Sequence, residues 1–186
     1  FSEEHALVDN QTDDIVKYMK TLFQKRGYKV QIIKVKPDDL SELKNLKADF
    51  VFNLVDSKKM EVEIAKILGR LHIPYSGSSF KAIQISNNKL KTKKLFEKNA
   101  LPTPKYTIIR LHDRISRKLL PGKFPIIVKP AFEHCSIGIT NKSIATTYEQ
   151  FKKIIQRMRI DHKQALLAEE FIAGKELQVT VLETPT

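Results

Sequence analysis

An α/β chain in two parts is the fold class that the sequence predicts, and three observations carry that expectation. The first half alternates helical periods with short apolar runs, the pattern of parallel strands joined by crossover helices. Past Gly77 the composition shifts, and Leu101-Pro-Thr-Pro104 breaks the chain firmly. The second half then carries several strand-like runs around one amphipathic helix, which makes an α+β lobe. Residues 1–86 and 87–186 are the two parts.

In the first part, Thr12 or Asp13 can cap a helix whose apolar face is Ile15, Tyr18, Met19, Leu22 and Phe23, with Gly27 as its stop. Tyr28 to Val35 alternates as a strand, and Pro37 to Leu43 begins a helix with proline in its first turn. Ala48 to Val55, "ADFVFNLV", is a second strand. Val62, Ala65, Ile67, Leu68 and Leu71 give Glu61–Leu71 a helical spacing, and Ile73 to Gly77 is a short strand entering a glycine turn. This order is that of a Rossmann-like layer. Such a layer begins with a strand ahead of its first helix, which residues 1–10 supply poorly.

In the second part, Asn87-Asn88 can cap a helix over Lys89–Lys98. Strands are expected at Lys105–Arg110, at Ile126–Val128 closing on Lys129, and at Ser136–Thr140. A helix around Tyr148 to Met158 presents Phe151, Ile154, Ile155 and Met158 on one face. Ala165–Ile172 and Glu176–Leu182 are two further strands.

Composition narrows the function classes. The 186 residues are 41% hydrophobic and 29% charged, which suits a folded chain. No apolar run approaches the ~20 residues that span a bilayer, and no signal peptide is visible at Phe1-Ser-Glu-Glu-His5. A single cysteine, Cys135, rules out an internal disulfide and suits a reducing compartment, so the expected location is cytoplasmic. The net charge of +12 attracts polyanions. Its lysines are scattered, however, with Lys89, Lys91, Lys93 and Lys94 the densest group, and no nucleic-acid-binding motif accompanies them. A solvated basic surface accounts for most of this charge.

The chemistry-bearing stretch is "KFPIIVKPAFEHCSIGIT", residues 123–140. A short β-branched run ends on a cation, Lys129, and Pro130 stops it. A strand-end lysine either snorkels to water or holds an anion. The loop behind it offers backbone N–H groups around Cys135, Ser136 and Gly138 that can cradle phosphate oxygens. Downstream, "AEEFIAGKELQV" places Glu169 and Glu170 before a turn at Gly174, with Glu176 after it. Carboxylates there can accept from an adenine amino group or from ribose hydroxyls. Taken singly, each feature reads equally as a solvated face. No G-x-x-x-x-G-K-[S/T] and no G-x-G-x-x-G is present.

Together and in this order the segments resemble the ATP-grasp superfamily, most closely the D-alanine–D-alanine ligases and related carboxylate–amine ligases. The family's loop reads roughly V-K-P-x-x-E-G-S-S-x-G, against Val128-Lys-Pro-Ala-Phe-Glu-His-Cys-Ser-Ile-Gly138. Its hinge reads roughly E-x-(aromatic)-(aliphatic)-x-G-x-E, against Glu169-Glu-Phe-Ile-Ala-Gly-Lys-Glu176. Upstream, Tyr75-Ser-Gly77, Asn88-Lys89, Thr92-Lys93 and Pro102-Thr-Pro104 stand where the family has a glycine turn, Asp-Lys, Thr/Ser-Lys and Pro-x-Pro. The "ADFVFNLV" strand is similar to the family's D-x-V-F-N segment.

The resemblance implies a Rossmann-like pre-ATP-grasp domain over 1–86, then the N-terminal lobe of an ATP-grasp domain over 87–186. It implies that Lys89 and Lys129 contact the α- and β-phosphates of ATP and that Ser136 contacts phosphate from the loop. Glu169 would meet the adenine amino group, with Glu170 beside it; Phe171 and Ile172 would line the adenine, and Glu176 would bind ribose. The implied activity is an ADP-forming carboxylate–amine ligation through an acyl-phosphate, with ATP and an amino-acid-like carboxylate as substrates, D-alanine in the nearest relatives, and a homodimer compatible with it. Mg2+ is implied too, with its ligands and the catalytic residues expected beyond Thr186, so the chain reads as the N-terminal part of such a ligase. His134-Cys135 departs from the family's Gly-Ser, and Asn88 from its aspartate. Cys135 lacks the separated His/Asn pattern of a nucleophile. A non-catalytic nucleotide-binding protein is therefore the second reading, and a nucleic-acid binder the third.

Overall fold

The computed structural model describes residues 3–57 and 60–181, with side chains from Asp13 onward. Contacts divide the chain into two units, Phe1–Gln84 and Ile85–Thr186. No described helix is long and apolar enough to cross a membrane.

In the first unit, α1 spans Glu3–Lys25, so its start lies well ahead of the expected cap, and it takes up most of the segment where a leading strand would stand. Gly27, at φ +85°, ends it in the left-handed conformation that glycine adopts without a Cβ clash. Beyond the turn, Tyr28 packs edge-on to Phe23, which also meets Phe52, and Lys34 reaches Asp13 at 3.1 Å. The short α2 covers Ser41–Lys44 only, shorter than the helix expected from Pro37. The helix α3, Met60–Arg70, buries Ile64, Ala65 and Leu68. Ile64 and Leu68 form a core with Leu43 and Ile73, with Ile33, Val35, Val51 and Val55 packed around it.

None of the three strands expected in this unit, at residues 28–35, 48–55 and 73–77, forms as a ladder. Residues 28–35 and 48–55 run without a ladder, and the parallel layer is reduced to one bridge, Val51 to Tyr75. Val51 N–H donates to Pro74 O at 2.9 Å, and Ser76 N–H donates to Val51 O at 3.0 Å. A parallel strand is stable when both faces are covered. Here Ile33 and Val35 reach the core, but Ile32 and Phe52 stay largely exposed, so only one side of each segment is covered.

The helix α4, Phe80–Ser86, which no sequence signal predicts, straddles the boundary between the units, and α5, Lys89–Lys98, matches the expected helix residue for residue. Four strands follow: β1 Tyr106–Ile109, β2 Ile126–Pro130, β3 Ile144–Ala145 and, after a helix, β4 Leu166–Glu170. All pairings are antiparallel, in the order β1-β4-β2-β3. The helix α6, Tyr148–His162, lies on one face and buries Phe151, Ile154, Ile155 and Met158 against Ile109, Ile126, Val128, Leu166 and Ala168. Thr147 caps it by accepting from Gln150 N–H. Trimming this close-packed layer by one methylene is costly, so Ile155→Val is expected to lose about 1 kcal/mol of unfolding free energy in denaturant titration.

Two strands expected here are absent. Residues 136–140 form turns, because Ile137 N–H bonds back to His134 O and Ile139 N–H to Ser136 O; the strand falls instead at Ile144–Ala145. Residues 176–181 are exposed and lie in no ladder, their alternating Leu177, Val179 and Val181 facing solvent; Leu182 lies outside the described residues.

Candidate functional site

Period-two alternation gives the sheet two chemically different faces. Along β2, Ile126 and Val128 turn to the core beneath α6, so Ile127 and Lys129 point the other way. Along β4, Leu166 and Ala168 face α6, leaving Leu167 and Glu169 on the side of Lys129. Tyr106 of β1 stands opposite Glu169 and shares that face.

Over this second face, α5 contributes Lys89, Lys93 and Glu97, four residues apart and so on one stripe of the helix. Asn88 starts the helix, its Oδ1 accepting from Leu90 N–H and Lys91 N–H at 3.1 Å each. Asn88→Ala is expected to cost about 1 kcal/mol of thermal stability, a normal loss for an N-cap.

The centre of the face is a triad of two buried residues, Glu169 and Lys93, and the half-buried Lys129. Glu169 accepts from Lys129 through Oε1 and from Lys93 through Oε2, the latter at 2.7 Å. Lys93 also donates to Thr103 Oγ1 at 2.7 Å and Pro104 O at 3.2 Å, and it lies over the Tyr106 ring. Burial pushes the Glu169 carboxyl up, but hydrogen bonds and charge from Lys129 and Lys93 outweigh that and hold it below the ordinary glutamate value. Next to it, burial and a 3.0 Å hydrogen bond to Glu97 raise the Tyr106 hydroxyl. Two ammonium groups on one carboxylate leave a net positive site, suited to an anion.

Lys89 is tied to the loop that leaves β2. Its ammonium donates to Glu133 O, and its backbone N–H to Ala131 O at 3.0 Å. Gln164 staples the same loop, accepting from Phe132 N–H at 2.7 Å and donating to Glu133 Oε1 at 2.6 Å. At the tip, Cys135 and Ser136 take φ of +49° and +58°, so the left-handed backbone falls there and not on His134. Cys135 Sγ lies 3.1 Å from His134 Nδ1. Gly138 is forced by space: a Cβ there would stand 2.4 Å from His162 Nε2.

Of the residues that the sequence singles out, the structure brings Lys129 and Glu169 into contact and ties Lys89 to the loop carrying Ser136, whose side chain is exposed. Glu170 continues β4, its N–H bonded to Lys105 O at 3.0 Å. Phe171, Ile172 and Glu176 lie on the exposed extended segment after β4. Among the described residues, no hydrogen bond or ion pair joins them to the triad. Lys93 was not among the expected site residues. Its signal was present in the four-residue step from Lys89 to Lys93.

An antiparallel sheet backed by one helix, with lysines from a strand and a helix converging on its open face, defines the class of site: an anion-binding α+β lobe. Residues 95–186 match the family model described as D-ala D-ala ligase C-terminus, a stretch that includes Lys129 and Glu169 but not Lys89. The D-alanine–D-alanine ligase of Actinobacillus pleuropneumoniae is 27% identical over 98% of this chain and 58% of its own length. That of Carboxydothermus hydrogenoformans is 32% identical over 85% of the chain and 52% of its length. The solved D-alanine–D-alanine ligase of Bacillus anthracis superimposes with a TM-score of 0.66 at 23% identity, over 81% of this chain and 48% of that one. The chain is thus similar to the D-alanine–D-alanine ligases, and it spans about half the length of these relatives.

Proposed function

We propose that the chain is part of an ADP-forming carboxylate–amine ligase that acts on an amino-acid-like substrate, D-alanine in the first instance. One observation carries this reading: Lys129 and Glu169 meet on the sheet face opposite α6, at a site of net positive charge, in a chain related to these ligases. ATP lies on that face. Lys89 and Lys129 contact its phosphates, Ser136 closes from the loop, and Glu169 accepts from the adenine amino group. Phe171, Ile172 and Glu176 line the base and ribose once the segment after β4 folds over them, next to Glu170 at the end of β4. A relative from Bacillus anthracis solved with ATP supports the choice of nucleotide. Residues 1–86 act as a Rossmann-like pre-ATP-grasp domain, a reading supported by the parallel bridge at Val51.

The γ-phosphoryl group passes to a substrate carboxylate oxygen and ADP leaves. An amine then attacks the acyl-phosphate carbon; the C–N bond forms as the C–O bond to phosphate breaks, and the amine gives up a proton. Mg2+ supplies charge neutralisation on phosphates when bound. The triad does not fit it, because the two ammonium groups on Glu169 leave a net positive site that repels a dication.

ADP release tests the reading, with ATP, Mg2+ and a panel of amino acids. D-alanine-dependent release is the expected result. ATP binding without release under any condition would favour the non-catalytic nucleotide binder, a reading that the His134–Cys135 contact supports, since it occupies the loop position of the family's Gly-Ser.

A further inference from the structure

The two lysines on Glu169 are not equivalent. Lys93 is the more deeply buried, its side chain 9% exposed against 24% for Lys129. Thr103 Oγ1, Pro104 O and the Tyr106 ring hold Lys93 as well, so its ammonium is anchored from α5, β1 and the segment between them. Lys129 has Glu169 as its polar partner and a route to solvent. We propose that Lys93 is a positioning residue of the nucleotide site: it is the fixed counter-charge of Glu169, and it is what allows Lys129 to leave that carboxylate for a phosphate. The proposal rests on the reading of this face as the nucleotide site.

With both ammonium groups in place, the triad carries one net positive charge. When a phosphate draws Lys129 away, Lys93 and Glu169 remain as a neutral, hydrogen-bonded pair, which burial tolerates. Without Lys93 the same movement would strand a carboxylate whose side chain is 8% exposed, and a buried unpaired charge is strongly disfavoured. Lys129 would then stay locked on Glu169. Lys93 thus contributes to phosphate binding through Glu169 and Lys129, without touching the nucleotide.

The test compares ATP with adenosine, which has no phosphate to draw Lys129 away and whose amino group can use the second lone pair of a Glu169 oxygen. In Lys93→Met, ATP affinity measured by calorimetry on the whole chain is expected to fall about tenfold or more. Adenosine affinity should stay within about twofold. The double variant Lys93→Met/Glu169→Gln removes the charge that needs compensation, so the preference for ATP over adenosine should return. A merely structural lysine would not be rescued in this way. Equal losses for both ligands, or a double variant that keeps the lost preference, overturn the proposal. If Lys93→Met does not fold, the double variant alone decides by the same ratio. A wild-type chain with no ATP affinity would instead sink the underlying nucleotide reading, and this role of Lys93 with it.

Discussion

Lys129→Met is expected to weaken ATP binding by about 10- to 150-fold while the chain stays folded, the worth of one charge-assisted hydrogen bond of about 1.5–3 kcal/mol. The methionine keeps the apolar stem that packs along β2, and only the ammonium is lost. Folding tolerates that loss because Glu169 retains Lys93, whose anchors lie in Thr103 and Pro104. On the core side of β2, Ile126 and Val128 are untouched. Calorimetry with ATP and a thermal melt of the same variant separate the two effects. Unchanged affinity would place the phosphates away from β2. Lost affinity with a large fall in melting temperature would make Lys129 a structural residue.

The second unit was largely legible in the sequence, and the reason is local chemistry. Asn88 marks the start of α5, Thr147 precedes α6, and Pro130 closes β2, so punctuation and periodicity agree there. The misreadings have a common cause. Residues 136–140 alternate like a strand, yet left-handed backbone at Cys135 and Ser136 turns the chain before any partner is reached. Residues 28–35, 48–55 and 176–181 have strand composition, but strand propensity is expressed only where a neighbour supplies hydrogen bonds and cover. The site divides in the same way. Lys129 and Glu169 stand out as motif residues at strand ends. Lys93 is one lysine among four on α5, and only the path of Thr103 and Pro104 shows which of them is buried.

Glu169→Gln is expected to cost about 3–5 kcal/mol of stability at neutral pH, the usual result of breaking a buried ion pair from one side. The amide has one acceptor oxygen where the carboxylate has two. Its NH2 group would face an ammonium, donor against donor, so that one of Lys93 and Lys129 loses its partner. Lys129 can swing to solvent, but Lys93 is enclosed by Thr103, Pro104 and the Tyr106 ring. The cost should depend on pH in a definite direction. Folding holds the Glu169 carboxyl below its ordinary value of 4.5, so the wild-type chain gains the full contribution above that pH. The contribution is lost as acid carries the pH down through the lower, folded-state value, where the carboxylate takes up a proton. Denaturant titrations should therefore show wild type and variant far apart at neutral pH and converging as the pH falls below 4.5. A gap that stays constant across the acid range would mean that the amide disturbs packing and that the charge of Glu169 contributes nothing. No gap at neutral pH would mean that the two lysines do not need the carboxylate at all, which would remove the basis for both the triad and the nucleotide site built on it.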